Sequence, residues 1–326
     1  MANRTQTLLS YCSRMAFGHV RAENDQKAFC NELNTEIISL CKSMPVSTQN
    51  DAFLFILINF RCSIYNKFDF FKYYYAPAWS IIYWLIKSVP KEKDLTEEDI
   101  RNAKTAHSMA MLLHPLDDHL NDSEWPATHL TVLLRSQAWL IMINALERLT
   151  DEIENGDKTV RDFIDRYYSS VCGSETIGSL HSYCDRFKKQ MATWLITPAL
   201  LTQKIGAADG SAEAILSGYE SFGVAWRLLD DVNDLSADIK KGVHSAFYSM
   251  LSEDRKEMWD KNAALCDDKG HKCILDYICQ IKAVDFIRDK ICKELESAAV
   301  AAAGGPLVMT GLANEYRCLM EPFKNP

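Results

Sequence analysis

The sequence predicts an all-α fold, in one domain covering residues 1–326. Three observations carry that expectation. Apolar residues recur at helical spacing through most of the chain, and the strict alternation of a half-buried strand is scarce. The chain has only 13 glycines and 9 prolines, which is sparse punctuation and leaves room for long helices joined by short loops. A hydrophobic content of 48% over 326 residues is enough to fill one large core.

Taken in order, helix breaks are expected near Pro45, Pro90, Pro126, Asn155-Gly156, Asp209-Gly210 and Gly304-Gly305-Pro306. Thr96, followed by Glu97, Glu98 and Asp99, reads as an N-cap with first-turn acids, opening a helix that runs past Lys104 and Met111 toward Leu113. Pro115 should kink that helix or restart it. Gly210-Ser211-Ala212-Glu213 opens another helix, with Tyr219, Phe222, Trp226 and Leu229 on related faces. No repeat or charged linker interrupts the pattern, so a bundle of roughly ten helices or more follows.

The apolar runs Phe53–Asn59 and Trp79–Ile86 are far shorter than the ~20 residues of a membrane span. The first residues lack a charged-then-apolar leader pattern, so a cytoplasmic protein is expected. The 11 cysteines are an odd number with no CxxC pair, which argues against a disulfide framework or a structural zinc site. The net charge is -8 and no Lys/Arg block stands out, so a nucleic-acid partner is not expected. An acidic chain that takes an anionic substrate needs its local sign reversed, and bound metal ions do that.

Two aspartate clusters supply the ligands for such ions. The first is Asp117, Asp118 and Asp122, after the apolar Leu112-Leu113. The second is Asp230, Asp231, Asp234 and Asp238, after Leu228-Leu229. On a helix, Asp118 and Asp122 share a face, as do Asp230, Asp234 and Asp238. Like charges so placed repel, and sheltering them costs several kcal/mol per ion without compensation. Magnesium is suited to this, since it takes carboxylate oxygens together with waters and substrate phosphates. A solvated acidic face is the alternative for either cluster alone. A di-iron site is not supported, because no Glu-x-x-His pair is present.

The stretch from Tyr219 through Gly223, Trp226 and Arg227 to Asp230, Asp231 and Asp234 resembles the second aspartate-rich motif, DDxxD, of the trans-prenyltransferases and related class I isoprenoid synthases. Asp238-Ile239-Lys240-Lys241-Gly242-Val243-His244-Ser245 is similar to the family's following Asp-x-x-x-Gly-Lys-x-Thr segment, with Val243 at the lysine. Asp117 to Asp122 resembles the first aspartate motif, stretched by one residue. Phe187-Lys188-Lys189 to Thr193, then Ile205-Gly206-Ala207, is similar to the family's Lys-Thr helix and Gly-Ala turn. The resemblance covers about residues 60 to 250. It implies a helical bundle of the isoprenoid synthase type around a central apolar cavity. It also implies a cluster of about three magnesium ions that holds the substrate diphosphate against both motifs.

By the same resemblance, Asp117, Asp118, Asp230 and Asp234 are the expected catalytic acids, and Asp122, Asp231 and Asp238 complete the metal set. Lys189, Arg227, Lys240 and Lys241 are expected to clamp the diphosphate, with Lys72, Arg186 and Lys188 as further cations. The substrate implied is an allylic prenyl diphosphate, and homodimers are common in the family. Met109, Leu112 and Leu113 sit where such enzymes cap the pocket and suit a C15 or C20 chain.

Two signatures of chain-elongating members are altered. Phe71-Lys72-Tyr73-Tyr74-Tyr75-Ala76-Pro77 stands where Gly-Gly-Lys-Arg-x-Arg-Pro would grip a second diphosphate, and it lacks both arginines. Ser123 to His129 stands where Arg-Arg-Gly would follow the first motif, and it has no arginine. An aromatic ring cannot replace a bidentate guanidinium on phosphate. The expectation is therefore a terpene cyclase that consumes one diphosphate. The alternatives are a prenyltransferase with a non-standard second site and a non-catalytic partner subunit. The Asn/Ser/Glu metal motif of many cyclases is absent, with Ala237 and Lys241 at its Ser and Glu places.

Overall fold

The computed structural model describes residues 2–62, 67–89, 95–172, 178–207, 209–265, 268–304 and 307–324. Pro90, Gly305 and Pro306, among the expected break points, lie outside these residues. The described residues form 15 α-helices and no strand, as predicted. In order these are α1 (Ala2–Cys12), α2 (Asn24–Ser43), α3 (Gln49–Asn59), α4 (Ala76–Lys87) and α5 (Glu97–Asn121). Then come α6 (His129–Thr150), α7 (Gly156–Val171), α8 (Leu180–Gln190), α9 (Ala192–Lys204) and α10 (Asp209–Lys241). The last are α11 (Ala246–Ser249), α12 (Glu253–Leu265), α13 (Asp268–Gln280), α14 (Ala283–Ala303) and α15 (Thr310–Lys324). No helix among them is long and apolar enough to cross a membrane. The described cysteines are free thiols.

Thr96 caps α5 as its sequence suggests. Its hydroxyl accepts from the Asp99 N–H at 3.1 Å, and the Asp99 carboxylate accepts from the Thr96 N–H at 2.9 Å. Lys204, at the end of α9, closes on the same carboxylate at 2.5 Å.

Pro115 does not restart the helix, the second of the two expected outcomes; α5 runs on through it to Asn121. Proline removes the N–H that would serve the carbonyl of Met111. The Tyr74 hydroxyl donates to that carbonyl at 2.5 Å and takes over the lost bond.

The core is contiguous from Cys12 to Phe323, and α9 runs through it with every residue from Ala192 to Thr202 buried. Three helices are pinned together at one carbonyl. Tyr219 of α10 donates to the Ala78 oxygen of α4 at 2.6 Å, and His107 Nε2 of α5 does so at 2.9 Å. Gly218 lets α10 approach α14 closely, since a Cβ there would sit 2.8 Å from the Cβ of Ala301.

The interior between α4, α9 and α10 is filled by rings. Trp226 lies 5.6 Å from Tyr74, 5.8 Å from Trp194 and 5.9 Å from Phe222, centroid to centroid. Beside this cluster a cavity of about 700 Å³ opens, lined by Tyr73, Tyr74 and Tyr75 and by Lys27, Lys67 and Lys72.

Candidate active site

Both aspartate clusters lie on the C-terminal halves of long helices, α5 and α10. The structure sorts them into exposed and anchored acids. Asp118 and Asp122 are exposed at the end of α5. Partial desolvation by the surrounding protein, then the charges of Asp118 and Glu124, raises the Asp122 carboxyl above its ordinary value. Asp117 is buried and turned the other way. Its two oxygens accept from Arg135 Nε at 2.6 Å, from Arg135 Nη2 at 3.0 Å and from the Tyr167 hydroxyl at 2.7 Å. The structure thus does not bring Asp117 together with the other acids.

On α10, Asp230 and Asp234 are exposed while Asp231 and Asp238 are buried. One Asp231 oxygen accepts from the Ala246 N–H at 2.9 Å, and the other lies 3.3 Å from Arg227 Nε. The Tyr183 hydroxyl also bonds this carboxylate. Asp231 therefore ties the segment after α10 back onto the helix. Partial desolvation by the surrounding protein, although the side chain reaches solvent, pushes the Asp230 carboxyl up to about 6; Arg227 opposes this, and Asp234, Asp231 and Asp118 add to it. Burial, with Asp231 and Asp234, pushes Asp238 up to about 7.

The last of those influences on Asp230 is informative. Asp118 belongs to the other cluster, and its charge reaches both Asp230 and Arg227. Tyr73 feels Asp230, Asp118 and Asp234 at once, on top of its burial, and all of them raise its phenol. Lys241, just past the second cluster, pairs at 3.2 Å with Glu124, just past the first. The ends of α5 and α10 thus form one mouth, with Asp118 beside Asp230 and Asp234 and Asp122 one turn beyond Asp118.

Arg227 stands behind this mouth. Its Nε donates to the Tyr183 hydroxyl at 2.8 Å, and its Nη1 lies 3.9 Å from Asp230. Lys189 is half-buried in the last turn of α8, and Lys240 is exposed in the last turn of α10. Gly223 lies against the break between α8 and α9, where a Cβ would come within 2.3 Å of Met191 Sδ. That contact explains a glycine one turn before Arg227.

The donors at the mouth are hard carboxylate oxygens. Among the described residues no three His, Cys, Asp or Glu side chains gather as a ready-made cage. Magnesium suits such a site, because it takes one or two carboxylates and fills its shell with water and substrate phosphate. The raised carboxyls of Asp122, Asp230 and Asp238 mark negative charge that a cation would relieve.

Sequence reasoning missed Arg135, Tyr167, Tyr183 and Glu124. Arg135, Tyr167 and Tyr183 act through an acid on another element and Glu124 through Lys241 of α10, and helical spacing says nothing about partners on other helices.

No protein-family model matches the sequence, and no curated protein does. Solved structures do. Polyprenyl synthetase from Streptomyces coelicolor A3(2) aligns with a TM-score of 0.63 at 12% identity, over 91% of this chain and 99% of its own. Geranylgeranyl pyrophosphate synthase from Corynebacterium glutamicum, complexed with isoprenyl diphosphate and magnesium, gives 0.63 at 12%, over 91% and 99%. Octaprenyl pyrophosphate synthase from Helicobacter pylori gives 0.59 at 13%, over 90% and 99%. This chain has the fold of the trans-prenyltransferase-type isoprenoid synthases.

Proposed function

We propose that this chain is a magnesium-dependent prenyltransferase-type enzyme: it ionises an allylic prenyl diphosphate and passes the prenyl cation to a second substrate. The single observation that supports this reading most is the shared mouth of Asp118, Asp122, Asp230 and Asp234, two acids from each helix end. These four would hold the ions, about three by analogy with the fold, with Asp238 behind them. Bound magnesium supplies charge neutralisation of the leaving diphosphate. Arg227, Lys189, Lys240 and Lys241 would orient the diphosphate. For Lys241 this means exchanging Glu124 for a phosphate oxygen. Asp117 and Asp231, each saturated by protein partners, would hold the two helix ends in place.

Cyclisation was the first expectation from the sequence. Two observations favour transfer instead. The solved structures of this fold compared above are prenyl diphosphate synthases. The cavity at Tyr73 also carries Lys27, Lys67 and Lys72, so cations stand near the place left by the missing arginines. The cyclase reading keeps one supporting observation, the ring cluster of Tyr74, Trp194, Trp226 and Phe222, whose faces suit a passing carbocation. Both acid pairs are retained, which speaks against a non-catalytic partner subunit. Met109, Leu112 and Leu113, all buried on α5, would limit the chain to C15 or C20.

The test is product analysis with magnesium and allylic diphosphates of increasing length, with and without isopentenyl diphosphate. A longer diphosphate formed only with isopentenyl diphosphate supports transfer. A hydrocarbon or alcohol from the allylic substrate alone supports the cyclase. Asp230→Ala should lower either turnover by about 100-fold or more and leave the fold intact; a fully active variant refutes the metal assignment.

The partner proposed for α6 is a second copy of this chain. That helix exposes Val132, Leu133 and Leu140, apolar side chains that water does not favour. Sedimentation should give twice the chain mass, and Leu140→Lys should shift it toward the monomer. A wild-type monomer at micromolar concentration removes the proposal.

A further inference from the structure

Asp117 is the one acid of the first cluster that the proposed reaction leaves without a direct task. It is 5% exposed and accepts three short hydrogen bonds, two from Arg135 of α6 and one from Tyr167 of α7. A carboxylate offers about four lone-pair directions, so little of Asp117 remains for a metal. The guanidinium neutralises it where it stands, and the Arg135 group itself lies 5.7 Å from the Trp139 ring.

Where this grip falls along α5 matters. Pro115 lies two residues before Asp117 and has no N–H for the Met111 carbonyl. The last turn and a half of α5 therefore begins at a weakened point, and it carries Asp118 and Asp122. Tyr74, from the segment just before α4, steadies that point at Met111, and Arg135 and Tyr167 grip the helix beyond it. Asp118 is the next residue along, so the roll of the helix end that sets Asp117 against Arg135 also sets the direction of Asp118. One residue corresponds to about 100° around a helix. Asp117 facing inward to α6 and α7 therefore leaves Asp118 facing the mouth.

We propose that Arg135 and Tyr167 are positioning residues, which hold the α5 terminus through Asp117 so that Asp118 and Asp122 face Asp230 and Asp234. Asp117 is then an anchor and not a metal ligand. This inference rests on the functional reading above.

The experiment titrates magnesium against a fixed concentration of inorganic pyrophosphate. Binding is read by calorimetry well below the melting midpoint of each protein, and the midpoints are recorded separately. Tyr167→Phe should raise the magnesium concentration for half-saturation several-fold, and Arg135→Gln by about 10-fold or more. Arg135→Lys should recover part of the loss, since it restores the charge but not the fork. Asp117→Asn should follow Arg135→Gln, whereas Asp118→Asn should abolish binding. A purely structural role predicts lower melting midpoints with the magnesium requirement unchanged, and that result overturns the assignment while leaving the functional reading intact. If Arg135→Gln does not fold, Tyr167→Phe, which removes one hydroxyl, decides the matter alone. Asp117→Asn that abolishes binding as fully as Asp118→Asn makes Asp117 a ligand and overturns the anchor. A wild-type protein that binds no magnesium pyrophosphate overturns the functional reading, and this assignment with it.

Discussion

His107 of α5 is fully buried, with Nε2 donating to the Ala78 oxygen and Nδ1 without a hydrogen-bond partner among the described residues. Burial lowers its pKa to about 4, against a backbone hydrogen bond that acts to raise it. Above pH 6.5 the ring is neutral in both folded and unfolded chains and adds no pH dependence. As pH falls from 6.5 to 4, the unfolded chain takes up a proton and the folded one does not, so stability falls, by about 3 kcal/mol in total. Below pH 4 both bind the proton and the fall ends. Denaturant unfolding at pH 7.5 and pH 5 should show a loss of about 2 kcal/mol from this group. His107→Gln should be flatter than wild type over that interval, and contributions from other groups cancel in the comparison. Equal slopes would remove His107 as the cause. The sequence made seven aspartates visible and could not say which were buried. Helical spacing places Asp230 and Asp234 on one face, and the structure keeps them there, exposed. Asp117, Asp231 and Asp238 are buried because α6, α7, α8 and the segment around Ala246 close over them, and no periodicity within α5 or α10 encodes that.

At the scale of elements, the N-terminus of α5 was legible and its interior was not. Thr96 and Asp99 form their reciprocal cap from local sequence alone. Pro115 reads locally as a break, yet Tyr74, 41 positions earlier in the chain, supplies the missing donor. This exchange gives a double-mutant test. Tyr74→Phe leaves the buried Met111 carbonyl unserved and should cost about 1–2 kcal/mol. In a Pro115→Ala background the backbone N–H of residue 115 can serve the same carbonyl, so Tyr74→Phe should cost about 1 kcal/mol less there. Unfolding free energies of the four proteins measure the coupling. A coupling near zero would mean that the tyrosine hydroxyl matters elsewhere. The same kind of long-range compensation hides the α8–α9 break at Met191, where Gly223 of α10 makes the room.

For the whole molecule, net charge decides what binds. The chain carries -8, and its mouth adds carboxylates where crowding by the surrounding protein and mutual repulsion already push Asp230 up to about 6. Pyrophosphate alone should be repelled by that mouth. Magnesium alone meets no cage of three acids among the described residues, and it gives up its water reluctantly. Each therefore lacks what the other brings: the anion supplies oxygens to complete the metal shell, and the cation reverses the sign that excludes the anion. Stabilisation should accordingly be cooperative. Thermal unfolding with magnesium alone, or pyrophosphate alone, should shift little. The two together, at 100-fold above their joint dissociation constant, should add about 2.7 kcal/mol and raise the midpoint by roughly 5 °C. Asp230→Ala should erase most of that shift, because it removes one of two acids from one side of the mouth, while Glu124→Gln should preserve it, because Glu124 contacts only Lys241 and His119 among the groups described there. A full shift with pyrophosphate in the absence of metal would mean that Arg227 and the lysines hold the anion unaided, and the aspartates would then need another explanation.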